Sequence, residues 1–189
     1  LFIFTSDNGG LSYEKDGLRD ANTSNLPLRG RKGSEYEGGI RVPWIVRWPG
    51  KTPAGQVCSV PIHHVDLFPT LLAVGNSTQP PQELHGVNLA QLFRSPDHVL
   101  GKRNLYWYMP GYSAFHEPSV IVRRDQWKLI RSLESELIQL FDTNTDISEG
   151  SNLGQANPEI GLDLNAAAMQ WLDDLDAPRM IPNPEFKSQ

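Results

Sequence analysis

Only one cysteine, Cys58, occurs in the 189 residues, so no internal disulfide can staple the fold. Its neighbours, Gln56-Val57 and Ser59-Val60, carry no cation or histidine. That setting predicts a buried, inert thiol and not a nucleophile. No apolar run is long enough to cross a membrane. The opening residues show no signal-peptide pattern, which excludes nothing, because the sequence opens directly inside an apolar stretch. An excess of positive charge is also missing: 17 Lys and Arg stand against 22 Asp and Glu, a net charge of −5. This argues against nucleic acid or an acidic lipid surface as the main partner. The cationic cluster Arg29, Arg31, Lys32 is followed at once by Glu35 and Glu37, so it does not read as a stripe for a phosphate backbone. Disorder is excluded by composition: 39% hydrophobic and 21% charged residues suffice for a core.

What is present is concentrated at the start. Leu1-Phe2-Ile3-Phe4 is a continuous apolar run, the pattern of a strand buried on both faces in a parallel sheet. Such a strand needs neighbours on either side, and the expectation is that these residues belong to the C-terminal part of a longer protein. A carboxylate, an amide and two glycines follow, Asp7-Asn8-Gly9-Gly10. Ligands of open α/β sheets bind just beyond the carboxyl ends of strands, which is where Asp7 and Asn8 fall. Both offer hard oxygen donors, suited to Ca²⁺ or Mg²⁺. The plainer alternative is an Asx-type turn in which both side chains satisfy local backbone N–H groups.

A second stretch, PLRGRKGSEYEGGIRVP from Pro27 to Pro43, holds four glycines and no hydrophobic period between Pro27 and Gly39, so it reads as irregular. Its GRKGS resembles a phosphate-binding P-loop only superficially. That motif needs Gly, four spacers and then Gly-Lys-Ser/Thr opening a helix, whereas here Gly33 follows Lys32 and Pro43 lies downstream.

Together, TSDNGG at Thr5 to Gly10 and PLRGRKGSEYEGGIRVP resemble the sulfatase family of the alkaline-phosphatase-like superfamily. The resemblance continues through Ile45-Val46-Arg47-Trp48-Pro49-Gly50 and Val65-Asp66-Leu67-Phe68-Pro69-Thr70-Leu71-Leu72. It implies an α/β fold (α+β as a fragment): the C-terminal portion of a mixed-sheet α/β/α sulfatase domain, followed by a small four-stranded antiparallel sheet packed by a C-terminal helix. The expected boundary lies near residue 100, with residues 1–100 in the catalytic domain and 101–189 in the subdomain.

The remaining elements follow from pattern. Leu11 to Asn25 is a polar loop, which the family uses as an active-site loop of variable length. Val42 to Trp48 is a second buried strand ended by Pro49-Gly50. Pro61 to Val74 is a helix stopped by Gly75 and kinked or divided at Pro69. Asn76 to Gln82 is a linker, and Leu84 to Phe93 a loop and helical turn. Leu105 to Met109, Ser119 to Arg123, Trp127 to Ser132 and Glu136 to Phe141 are strands joined by tight turns. Gln126-Trp127-Lys128-Leu129-Ile130 and Leu140-Phe141-Asp142 resemble the C-terminal hairpin of sulfatases. The Asp-Pro that usually follows in the family is replaced by Asp146-Ile147-Ser148-Glu149, so an altered turn is expected. Asn157 as N-cap and Pro158 at the first position open a helix to about Leu175, with Ile160, Leu164, Ala167, Ala168, Trp171, Leu172 and Leu175 on its apolar face. The proline-rich tail beyond Ala177 reads as extended.

The resemblance also implies chemistry. Asp7 and Asn8 match metal ligands for Ca²⁺, and Lys32 matches the lysine that contacts the sulfate. The plainer reading of Lys32 is an exposed loop lysine. The family nucleophile is a formylglycine made within C/S-x-P/A-x-R, and no such motif occurs in these residues; it is expected upstream. This chain alone is therefore expected to be inactive. His63-His64-x-Asp66 could bind a transition metal, but adjacent side chains point apart and no third ligand is near in sequence. A helix-starting turn with Asp66 favoured by the dipole is preferred, and His64 is kept as a substrate-contact candidate. Tyr36-Glu37-Gly38-Gly39 reads as structural, turning the chain back to the sheet with Glu37 paired to Arg41 or Arg29. The implied partner is a sulfated small molecule or glycan, towards which the aromatics Leu105-Tyr106-Trp107-Tyr108 lean, being similar to a segment of arylsulfatases and N-acetylgalactosamine-6-sulfatases. Family resemblance implies a periplasmic or secreted setting, and the exposed sheet implies self-association. Two other readings stand: a non-enzymatic Ca²⁺- or carbohydrate-binding module, and a phosphoester or phosphonate hydrolase of the same superfamily.

Overall fold

The computed structural model describes residues 1–11, 23–78, 82–181, 183 and 185. Most of the expected loop from Leu11 to Asn25, the Pro80-Pro81 part of the linker and much of the tail lie outside them. The chain divides into two compact units, Leu1–Asp7 with Val42–Leu105 and Asn8–Arg41 with Tyr106–Gln189.

The first unit holds β1 (Phe2–Thr5) and β2 (Trp44–Arg47). They pair antiparallel, with Ile3 opposite Val46 and Phe4 opposite Ile45. The continuous apolar run suggests a parallel strand buried on both faces, and here the structure differs. Ile3 and Val46 face inward onto Leu89, Leu92 and Phe93, while Phe2, Phe4 and Ile45 are each more than half exposed. An apolar run is compatible with either strand direction. The expected Pro61–Val74 helix is two pieces: a 3₁₀ turn, His64–Asp66, then a helix, Leu67–Val74. Pro69 is the third residue of the second piece, where a helix needs no N–H donor. Gly75 ends it. Cys58 is exposed, not buried as expected, because residues 54–59 are surface coil without an apolar face.

In the second unit a helical turn, α1 (Glu37–Ile40), interrupts the segment read as irregular. With that numbering, α2 is Leu67–Val74 and α3 is Ala90–Arg94, both in the first unit. The second unit then has a four-stranded sheet in the order β3 (Leu105–Met109), β4 (Ser119–Arg124), β5 (Trp127–Ser132), β6 (Ile138–Asp142). The β4–β5 and β5–β6 pairs are antiparallel, as the hairpin pattern predicts. The helix α4 (Pro158–Asp174) begins with proline at its first turn. Asn157 does not cap it through its side chain; its Nδ2 donates to Leu153 O at 3.2 Å instead.

Alternation along the strands gives this sheet two different faces. Val120, Val122, Leu129 and Leu140 meet Leu164, Ala168 and Leu172 of α4. Ile121, Ile130 and Phe141 point the other way, onto Tyr36 and Ile40. The glycine-rich segment is thus the second cover of the sheet.

Candidate functional site

Two hydrogen bonds join the two sequence motifs within the second unit. Gly9 N–H donates to Gly39 O at 2.8 Å, and Lys32 N–H donates to Gly10 O at 3.1 Å. The approach is close enough to exclude any side chain at residue 9: a Cβ there would lie 1.8 Å from Gly38 O. Lys32 sits at the tip of a turn closed by Ser34 N–H to Arg31 O at 2.9 Å. Gly33 follows it with φ +86°, a conformation that glycine adopts without steric cost. Ser34 Oγ accepts from Arg31 N–H at 3.1 Å, which stiffens the turn.

The three cations of this loop have different fates. The Arg29 guanidinium lies 3.8 Å over the Tyr36 ring and donates to Glu149 O at 2.9 Å. The Arg31 guanidinium lies 4.0 Å over Phe115. Lys32 is exposed and pairs with no carboxylate among the described residues. The loop therefore presents one ammonium outward while its arginines hold it down.

Beneath the loop is a buried ion cluster. Lys128 Nζ contacts Glu149 Oε1 at 2.7 Å and Glu37 Oε1 at 3.2 Å. Arg123 and Arg41 reach Glu37 Oε2 at 3.3 and 3.5 Å. The Arg41 partner was expected; Arg29 instead serves Glu149. Glu37 N–H also donates to Glu149 Oε2 at 2.6 Å. Burial pushes the Glu37 carboxyl up, but Lys128 and Arg123 more than offset this and hold it below its ordinary value. Burial wins at Glu149, whose carboxyl is raised despite Lys128. Sequence reasoning missed Lys128 and Glu149. The usable signal was a lysine inside the apolar strand Trp127-Lys128-Leu129-Ile130, since lysine is buried almost only when paired.

The other predicted residues are placed as follows. Asp7 ends the first unit, exposed, with Ser6 Oγ donating to its Oδ1 at 3.5 Å; Asn8 opens the second, half-buried, with Nδ2 donating to Gly9 O at 3.4 Å. His64 is exposed, its Nε2 3.4 Å from Thr5 Oγ1 and its ring 5.5 Å from Trp44, which puts it near the carboxyl end of β1. Asp66 is structural. It accepts from His63 N–H at 2.8 Å and Val87 N–H at 2.9 Å, and its two oxygens take Arg103 at 2.5 and 2.6 Å. Burial pushes this carboxyl up, yet the arginine and the backbone donors keep it below its ordinary value. Among the described residues no group of three His, Cys, Asp or Glu could hold a metal ion. A carboxylate followed by an amide is nonetheless a hard-oxygen donor pair that fits part of a Ca²⁺ shell of roughly six to eight oxygens.

Comparison with known proteins matches residues 1–77 to the family described as Sulfatase. A sulfatase of Formosa agariphila is 34% identical over 96% of this chain and 34% of its own length. By these matches the chain resembles the sulfatase family. An N-acetylgalactosamine-6-O-sulfatase of Bacteroides thetaiotaomicron is 29% identical over 87% of the chain and 35% of its own length. Among solved structures, Ps i-CgsB in complex with k-i-k-neocarrahexaose superposes with a TM-score of 0.77 at 30% identity, covering 96% of this chain and 38% of that one. The chain thus spans about a third of the length of the curated relatives it matches. No helix among the described residues is long and apolar enough to cross a membrane.

Proposed function

We propose that this chain supplies one part of the active site of a sulfatase acting on sulfate esters of carbohydrates. Asp7 and Asn8 would hold Ca²⁺, and the Lys32 ammonium would contact the sulfate. Bound Ca²⁺ supplies electrostatic neutralisation of the ester's anionic oxygens. The chain's own contribution is a fixed cation. Lys32 is a compact point charge on a turn with a closed backbone, so it needs little reorganisation as negative charge shifts towards the leaving oxygen. The nucleophile and the remaining oxygen ligands would come from residues outside this chain.

The observation that carries this reading is the joining of the two motifs: Lys32 N–H to Gly10 O and Gly9 N–H to Gly39 O tie the turn that presents the ammonium to the segment that begins with Asn8. The relatives named above support a carbohydrate substrate. The test is hydrolysis of aryl sulfate and of sulfated oligosaccharides by the protein extended upstream through a C/S-x-P/A-x-R motif, with Ca²⁺ present. Saturable sulfate release is expected from the extended protein and none from this chain alone. Preferential turnover of phosphate or phosphonate esters, or glycan binding without turnover, would overturn it.

A further inference from the structure

The buried cluster under the Lys32 loop is larger than a surface loop requires, and both feet of the loop end on one residue. The Arg29 guanidinium donates to Glu149 O at 2.9 Å. Glu37 N–H donates to Glu149 Oε2 at 2.6 Å. Eight residues apart in sequence, Arg29 and Glu37 are thus pinned to the backbone and side chain of Glu149, and Gly38 N–H closes the ring on Arg29 O at 2.7 Å. Glu149 has φ +51°, uncommon for a residue with a side chain; this conformation belongs to the turn Asp146-Ile147-Ser148-Glu149. Asp146 fixes that turn, its carboxylate accepting from Ser148 Oγ at 2.8 Å and Ser151 N–H at 2.9 Å.

Charge alone does not account for the arrangement. Glu149 and Lys128 are fully buried and Glu37 is almost so. A buried ion pair is weak as a source of stability, and its best attested use is to fix one arrangement over others. Lys128 stands on β5 beside Arg123 of β4, so the sheet offers two cations to the carboxylates from below. Tyr36 adds a third tie, its hydroxyl donating to Gln139 Oε1 at 3.1 Å.

We propose that Glu149 and Lys128 are positioning residues for the sulfate-contacting lysine: the C-terminal sheet sets where Lys32 stands by clamping both ends of its loop through Glu149, with Lys128 neutralising the clamp. This rests on the reading of Lys32 given above. Neither residue would touch substrate. A displacement of about 1 Å at a reacting centre can cost roughly a hundredfold in rate, so loosening the clamp is expected to act through Lys32.

Two measurements test it. In this chain, amide hydrogen exchange of Glu149→Gln and Lys128→Met is expected to speed up at Lys32 and Gly38, whose N–H groups are bonded to Gly10 O and Arg29 O, while the amides of α4 keep their protection. Exchange that is unchanged in the loop, or faster everywhere, overturns the clamp. In the complete sulfatase, kcat/KM is measured for Glu149→Gln, Lys32→Ala and the pair combined. Glu149→Gln alone is expected to lose on the order of tenfold to a hundredfold, and less than about twofold when Lys32 is already alanine, the sub-additivity of residues that act as one unit. An equal loss in both backgrounds means that Glu149 acts elsewhere and overturns the proposal. Full activity of Lys32→Ala defeats the reading of Lys32 itself, a separate result. Should Lys128→Met not fold, the charge-balanced Lys128→Met/Glu149→Gln pair takes its place, with the same expectation in exchange; Lys128→Arg is expected to restore loop protection.

Discussion

Asp66 and Gly9 show how single residues hold this chain in shape. Asp66 is fully buried, and Arg103 faces it with both nitrogens. Replacing Arg103 by methionine leaves a buried carboxylate without its counter-charge, and a loss of about 3 kcal/mol is expected in urea unfolding. Acid should act in the same direction. The folded carboxyls of Asp66 and Glu37 sit below their ordinary values, so the stability they contribute is complete above about pH 4 and lost as pH falls through the lowered folded values. Glu149 is raised and acts with the opposite sign, favouring the fold at low pH and costing stability as pH rises through its folded value. Unfolding at pH 7 and pH 3 is expected to show a net loss at pH 3, smaller in Asp66→Asn than in the parent. Gly9→Ala is expected to destabilise the second unit by about 3 kcal/mol or more, above the usual cost of overpacking, because the Cβ would fall 1.8 Å from the backbone oxygen of Gly38. The sequence made Asp66 legible as a turn residue, since aspartate at a helix start has a local electrostatic reason. It could not reveal Arg103, which lies 37 residues away. Cys58 misled for a related reason: its apolar neighbours suggested burial, but burial depends on what the rest of the chain brings over the segment, and Val57 is 87% exposed.

At the level of elements, the C-terminal sheet and α4 were the most legible part of the fold. The strands have clear turn punctuation, and the helix has a 3.6-residue apolar period. Leu172→Ala removes a fully buried side chain between α4 and the sheet. It is expected to cost about 2–5 kcal/mol, read as a lower urea midpoint at an unchanged slope; a shift of a few tenths would contradict the packing described. What pattern could not show is the cover on the other face. Tyr36 and Ile40 lie in a glycine-rich stretch without period, and α1 is too short to leave one. The same blindness hid Glu149, whose role comes from a positive φ and two partners more than a hundred residues away in sequence. The direction of β1 was equally beyond pattern. Its apolar run fits a strand, while the antiparallel pairing with β2 depends on the path of the intervening chain.

For the whole molecule, the informative feature is an apolar face that nothing in the described residues covers. Phe2, Phe4 and Ile45 lie on one side of the β1–β2 pair, and the chain spans about a third of its relatives' length. On the proposed reading, other parts of a complete sulfatase would cover that side. In isolation the chain is expected to self-associate through it. Sedimentation velocity should show concentration-dependent association that Phe4→Lys reduces, and a monomer at every concentration would contradict this. The motifs made the family resemblance legible because two short, ordered stretches carry it; the substrate was not legible in them, because a hard-oxygen donor pair and a lysine suit any sulfate ester alike. The most direct test of the proposed sulfate site is kcat/KM and Ca²⁺ affinity of the protein extended upstream through its nucleophile motif, with Lys32→Ala, Asp7→Ala and both. Lys32→Ala is expected to lose about 3–4 kcal/mol of transition-state stabilisation, on the order of a hundred- to a thousandfold, with Ca²⁺ affinity near that of the parent. Asp7→Ala is expected to lose Ca²⁺ affinity as well, and the double variant to fall short of the summed losses. Parental kcat/KM in Lys32→Ala would make Lys32 an ordinary loop lysine and contradict the site.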